Sequence, residues 1–122
     1  MKRILDIGNC SHDFGLISGM LRKQFAAEVV QCHGPDDSLD ALRHGQFDLV
    51  LVNRQLDQDY SSGLDIIQTI KADPQLSSIP VMMVTNYAEH QAQAVASGAL
   101  PGFGKRELYT DQTQQRLGAV LS

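Results

Sequence analysis

Four side chains with sulfur or nitrogen donors fall in two tight groups, Cys10 with His12 and Cys32 with His33. Such donors could hold a zinc ion, or the two thiols could form a redox-active pair. The spacing argues against zinc, because the usual close pairs with two to four intervening residues are missing. Nor do two cysteines 22 positions apart make a disulfide framework. Free cysteine is commonly buried as a small apolar residue, and that is the plainer reading. Asp6 is a third candidate. Strand alternation places Ile4, Asp6 and Gly8 on one face, so Asp6 is expected to be a buried carboxyl with a local hydrogen-bond partner or a raised pKa. Lys105 should not be buried unpaired; it is expected to reach Asp57 or Asp59, or to turn to solvent. His44 and His90 have no partner visible in the sequence and are read as surface residues.

Something must position these groups. The 122 residues suit one domain, 1–122, since no repeat, low-complexity tract or linker-like run divides them. Hydrophobic residues at 43% and charged residues at 20% exclude a disordered tail. Ten Lys and Arg against fourteen Asp and Glu give a net charge of -4 with no basic cluster, so no direct nucleic-acid binding is expected. The apolar stretch 79–84 is too short to span a bilayer, and Asp6 would spoil the core of a leader peptide. A cytoplasmic protein without membrane contact is expected.

Short apolar runs at 4–8, 28–32, 49–52 and 81–85 read as strands buried on both faces. Helical patterns lie between them. Leu16, Ile17, Met20 and Leu21 form a core-facing set, with Arg22 and Lys23 suited to the last turn. Residues 38–43 make a short helix stopped by Gly45, and Leu64, Ile66, Ile67 and Ile70 a third, with Pro74 beyond it. A fourth covers 92–96 and ends at Gly98; a fifth covers 108–121, with Leu117, Val120 and Leu121 inward. Gly15 and Gly19 lie inside the first helix, where they lower its stability. A fifth strand near 100–104 carries a proline and two glycines, which suits an edge. This alternation predicts an α/β fold: a flavodoxin-like (βα)5 three-layer sandwich whose parallel sheet has the order 2-1-3-4-5. Its site belongs at the carboxyl ends of the strands.

Five pieces then occur in order. They are Phe47-Asp48-Leu49-Val50-Leu51-Val52-Asn53, Gly63-Leu64-Asp65-Ile66-Ile67-Gln68-Thr69-Ile70-Lys71, Ile79-Pro80-Val81-Met82-Met83-Val84-Thr85, Ala96-Ser97-Gly98-Ala99, and Lys105. Together, from Ile4 to Leu121, they resemble the receiver domain of bacterial two-component response regulators, of the chemotaxis-regulator type. The resemblance implies a phosphoryl-accepting Asp ending the third strand, two acids after the first strand holding Mg²⁺, a Thr or Ser ending the fourth, and a Lys after the fifth. Such chemistry needs hard oxygen ligands for the metal and positive charge around the phosphoryl oxygens.

Only Thr85 and Lys105 match those functional positions. The phosphoacceptor position is Asn53, and the acid-pair positions are Gly8 and Asn9. Arg106 stands where the family has Pro, so a trans Lys105-Arg106 bond is expected. Gly102 stands at the aromatic switch position. The loop after Asn53 is about two residues longer than in the family, and the one after Thr85 about two shorter. Mg²⁺ binding is expected to be lost or weak, and no other cofactor is expected. Asp6 could act as a surrogate acid; with Cys10, His12, Cys32 and His33 it completes the candidate metal ligands. Asn53→Asp alone is not expected to restore phosphorylation, and acids added at Gly8 and Asn9 are expected to help.

The chain is thus expected to be a degenerate, non-enzymatic receiver in two-component or phosphorelay signalling. It would act as a phosphorylation-independent interaction module whose partner is a histidine kinase, an effector domain or a second copy. The alternative is a sensor that binds a small ligand in the vacated pocket or responds to redox state through its thiols.

Overall fold

The computed structural model covers Met1–Ser122. Its elements are β1 (Arg3–Ile7), α1 (Ser11–Phe25), β2 (Glu28–Cys32), α2 (Pro35–His44), β3 (Leu49–Asn53), α3 (Gly63–Ala72), β4 (Val81–Val84), α4 (Ala88–Ala96), β5 (Leu100–Phe103), one 3₁₀ turn at Lys105–Glu107, and α5 (Asp111–Leu121). All pairings are parallel, in the order β2-β1-β3-β4-β5. This is the flavodoxin-like sandwich. No helix is long and apolar enough to cross a membrane.

Alternation along the strands sorts side chains into two cores. Leu5, Ile7, Val50, Val52, Val81 and Met83 pack under α3, on Ile66, Ile67 and Ile70. Ile4, Leu49, Leu51, Met82 and Val84 pack under α1 and α5, on Ile17, Met20, Leu21, Leu117 and Leu121. Each of these strands is buried on both faces, which is why it reads as a continuous apolar run.

Four expectations need correction. Leu16 is half exposed and faces solvent. The inner face of α1 is Phe14, Ile17, Ser18, Met20 and Leu21, so Ile17, Met20 and Leu21 face the core as expected and Ser18 is buried with them. Second, α2 starts at Pro35 rather than 38, because Pro suits the first helical position and Asp37 accepts from the His33 and Gly34 amides at 2.9 and 2.8 Å. Third, α4 starts at Ala88. Finally, α5 starts at Asp111, where Thr110 caps it by accepting from the Thr113 amide; Leu108 is buried in the turn before it.

The edge strand is irregular. Met82 pairs with Leu100 and Val84 with Phe103, so Pro101 and Gly102 oppose Met83 alone. The Gln91 side chain of α4 supplies the missing ladder bonds, donating to the Met83 carbonyl and accepting from the Gly102 amide, both at 2.9 Å. Arg116 of α5 donates to the Gly102 carbonyl at 2.6 Å. A Cβ on Gly102 would overlap the Met83 carbonyl oxygen. The chain has no cis peptide bond, so Lys105-Arg106 is trans.

Candidate functional site

Parallel strands bring their carboxyl ends together, so Gly8, Asn53, Thr85 and Lys105 leave the sheet at one end. Asn53 closes β3. Its amide nitrogen donates to the Gly8 carbonyl at 3.1 Å and to the Gln55 carbonyl at 2.7 Å. Two carbonyl acceptors fix which end of the amide faces inward, because only the NH₂ can donate. Gly8 has φ 79°, a backbone that L side chains seldom adopt, and a Cβ there would overlap Leu56. Leu56, in the long loop after β3, is fully buried against this turn. The same loop is tied down by Asp57 donating its amide to the Gly8 carbonyl and by a Gln55–Ser62 bridge.

Asn9 does not face outward. Both Asn9 and Asp6 are fully buried, and the Asn9 amide donates to Asp6 Oδ1. Asp6 Oδ2 and Asn9 Oδ1 have no partner. Burial pushes the Asp6 carboxyl up to about 6, against the opposing hydrogen bond from Asn9 and the charge of Lys105, with Asp13 and Asp57 pushing it further up. The sequence expectation of a buried carboxyl with a local partner and raised pKa therefore holds.

Lys105 reaches neither Asp57 nor Asp59. Its ammonium donates to Asp13 Oδ2, in the first turn of α1, at 2.8 Å. Partial burial pushes the Asp13 carboxyl up, but the hydrogen bond and charge of Lys105 outweigh it and hold the group below its ordinary value. Asp57 instead lies 3.4 Å from His33, and Asp59 binds Ser61. Thr85 is nearly buried; its hydroxyl oxygen accepts from the Tyr87 amide and lies 3.5 Å from His90. His90 is therefore half-buried with partners rather than a free surface residue. His44 is exposed, with Asp40.

The four Cys and His candidates do not converge. No group of three or more His, Cys, Asp or Glu side chains is placed to hold a metal ion. Cys10 is exposed, whereas Cys32 is buried, donates to the Asp37 carbonyl, and has its thiol pushed up by burial. Asp13, Leu56 and Gln91 are the residues that sequence reasoning missed. Each acts across the fold, and none carries a local signal.

These features surround a cleft of about 220 Å³ lined by Asn53, Arg54, Thr85, Asn86, Tyr87 and Lys105 among others. The family described as the response regulator receiver domain matches residues 14–105. The chain belongs to that family. This receiver is similar to the receiver domain of a DNA-binding response regulator from Colwellia psychrerythraea 34H, with 23% identity and a TM-score of 0.79 over 98% of this chain and 97% of that one. It is also similar to the bacteriophytochrome response regulator AtBRR, at 27% identity and a TM-score of 0.74, covering 98% and 92% of the two chains. NtrX from Brucella abortus has 21% identity and a TM-score of 0.78; 97% of this chain matches 28% of that one. Receiver domains of two-component systems interact with histidine kinases and effector domains, and that is the setting of this receiver.

Proposed function

We propose that this receiver works without phosphorylation, as a protein-docking module with no catalysis of its own. The observation that carries this reading is the Asn53 side chain. At the position where the resemblance expects a phosphoacceptor carboxylate, an amide donates both of its hydrogens to the Gly8 and Gln55 carbonyls. An amide offers no nucleophile, and those carbonyls are already satisfied.

The residues at this end do not fit Mg²⁺ either. The ion wants near-octahedral oxygen ligands. Gly8 has no side chain and no space for one, Asn9 turns inward to Asp6, and the Asn53 amide donates to the Gln55 carbonyl. The expectation that acids at Gly8 and Asn9 would repair the site needs revision, because an Asp at position 8 would be strained and would collide with Leu56.

Docking is supported by exposed apolar side chains near α4 and β5: Tyr87, Val95 and Leu100. Their partner would be a histidine kinase, an effector domain or a second copy. Gly102 leaves no aromatic switch on this face, and Gln91 and Arg116 hold its backbone in one arrangement. Such a face suits one conformational state. A small phosphodonor with Mg²⁺ should leave the intact mass unchanged, whereas a hydroxylamine-labile adduct would mean an acyl phosphate and refute this reading.

A further inference from the structure

We propose that the cleft between α2 and α3 docks a basic segment of a partner protein, with one aliphatic side chain seated in the cleft and Lys or Arg side chains around it. This face contains neither α4 nor β5, so the inference goes beyond the docking reading above and does not depend on it. Charge is spread unevenly along the chain. Segments 35–42 and 55–70, which are most of α2, the loop after β3 and most of α3, hold Asp36, Asp37, Asp40, Asp57, Asp59 and Asp65 and no Lys or Arg. The ten Lys and Arg elsewhere outnumber the remaining acids, so these two segments carry more than the whole net charge of -4.

These acids are not neutralised from within the fold. All but Asp57, which is half-buried beside His33, are exposed. Asp36 and Asp65 form no ion pair. The cations bordering the two segments are engaged elsewhere. Arg43 reaches Asp73 at 3.3 Å, Lys71 donates to the Ser77 and Ile79 carbonyls at 3.0 and 2.8 Å, and Arg54 lines the cleft at the carboxyl ends of the strands.

Among the acids lies a mainly apolar cleft of about 120 Å³, lined by Pro35, Leu39, Ile66 and Thr69, with Ser61 and Asp65. Small-molecule sites usually run from about 300 to about 1,000 Å³, so this one is too small for a cofactor. At about 30 Å³ per water it holds about four non-hydrogen atoms, which is the size of a Leu side chain. Charge then decides the occupant. A second copy would present the same face across a two-fold interface, acid against acid. Nucleic acid and an anionic lipid surface are repelled likewise. A Lys- or Arg-bearing segment with one aliphatic anchor answers both the acids and the cleft, and a helix suits a groove between two helices.

The test is an amide NMR titration of the whole chain with a helical peptide of Ala and Lys, about 15 residues long, carrying one central Leu. Saturable shifts are expected at 35–40 and 59–69, and none with the same peptide bearing Glu for every Lys. Replacing the peptide's Leu by Ala should weaken binding about tenfold, the effect of removing a half-buried aliphatic side chain. A chain carrying Asp36→Asn and Asp65→Asn, which have no ion pair to lose, should bind about fivefold more weakly while its melting temperature falls by a few degrees at most. Shifts centred on α4 and β5, or equal binding by the Glu peptide, the Ala-substituted peptide or the double variant, would overturn the inference. So would concentration-dependent shifts of the same amides without peptide, which would put a second copy in the cleft. None of these outcomes bears on phosphorylation, which the intact mass reads separately.

Discussion

Asp6→Asn should stabilise this receiver, and the gain should depend on pH. In the native chain Asp6 is fully buried, with one oxygen bonded to Asn9 and the other without a partner. Burial raises its pKa from the ordinary 3.8 to about 6. Between about pH 4 and pH 6 the folded chain holds a proton that the unfolded chain has lost, so stability falls as pH rises through that window. At about 1.4 kcal/mol per pH unit, the ionised carboxylate costs about 3 kcal/mol at neutral pH. An Asn at position 6 mimics the protonated acid. It still accepts from Asn9, and its own NH₂ can donate to the orphaned Asn9 Oδ1. Urea unfolding of both proteins from about pH 4 to about pH 8 measures the difference. The gain should be near zero at the acid end and up to about 3 kcal/mol at the alkaline end. A gain that does not change with pH, or a variant less stable than the parent at pH 8, would refute the assignment.

Three further perturbations test the local physics. Gly8→Asp puts a side chain on a backbone with φ 79° and into Leu56, so it should lose about 2–4 kcal/mol in urea unfolding, with little recovery from added Mg²⁺. Gln91→Ala leaves the Met83 carbonyl and the Gly102 amide without their bonds; a loss of about 1–3 kcal/mol is expected, with faster amide exchange at Gly102. Gly15→Ala and Gly19→Ala meet nothing within 4 Å, and each should add about 0.5–1 kcal/mol, read as a higher denaturation midpoint.

The sheet was legible because β3 and β4 are buried on both faces and so carry unbroken apolar runs. Asp6 was legible for the opposite reason. One acid among Ile4, Leu5 and Ile7 had to find a local partner or have its pKa pushed up, and both hold: it accepts from Asn9, and burial raises its pKa to about 6. In α1, Ile17, Met20 and Leu21 face the core as expected, but Leu16 was misplaced, because Ser18, a polar residue, is buried while Leu16 is half exposed. The partner of Lys105 was hidden by distance, since Asp13 lies 92 positions away along the chain. Gly8 was read as a missing acid, yet its φ and the Leu56 contact also make it a structural requirement. That constraint comes from a long-range contact and leaves no local pattern. Gln91 was missed likewise, because a bulge needing a side-chain partner becomes visible only once Met83 and Gly102 face each other.

On the proposed reading, hydrogen bonds hold this receiver in one state, and it should ignore Mg²⁺ and phosphoryl inputs. The most direct measurement is a pair of amide NMR spectra of the chain, without additions and with Mg²⁺ and beryllium fluoride, a phosphoryl mimic that needs a carboxylate to bind. With Asn53 bonded to Gly8 and Gln55, the two spectra should superimpose through Thr85, Gly102 and Lys105. Shifts spreading from Asn53 through β4 and β5 would show a functioning phosphoryl site and contradict the account.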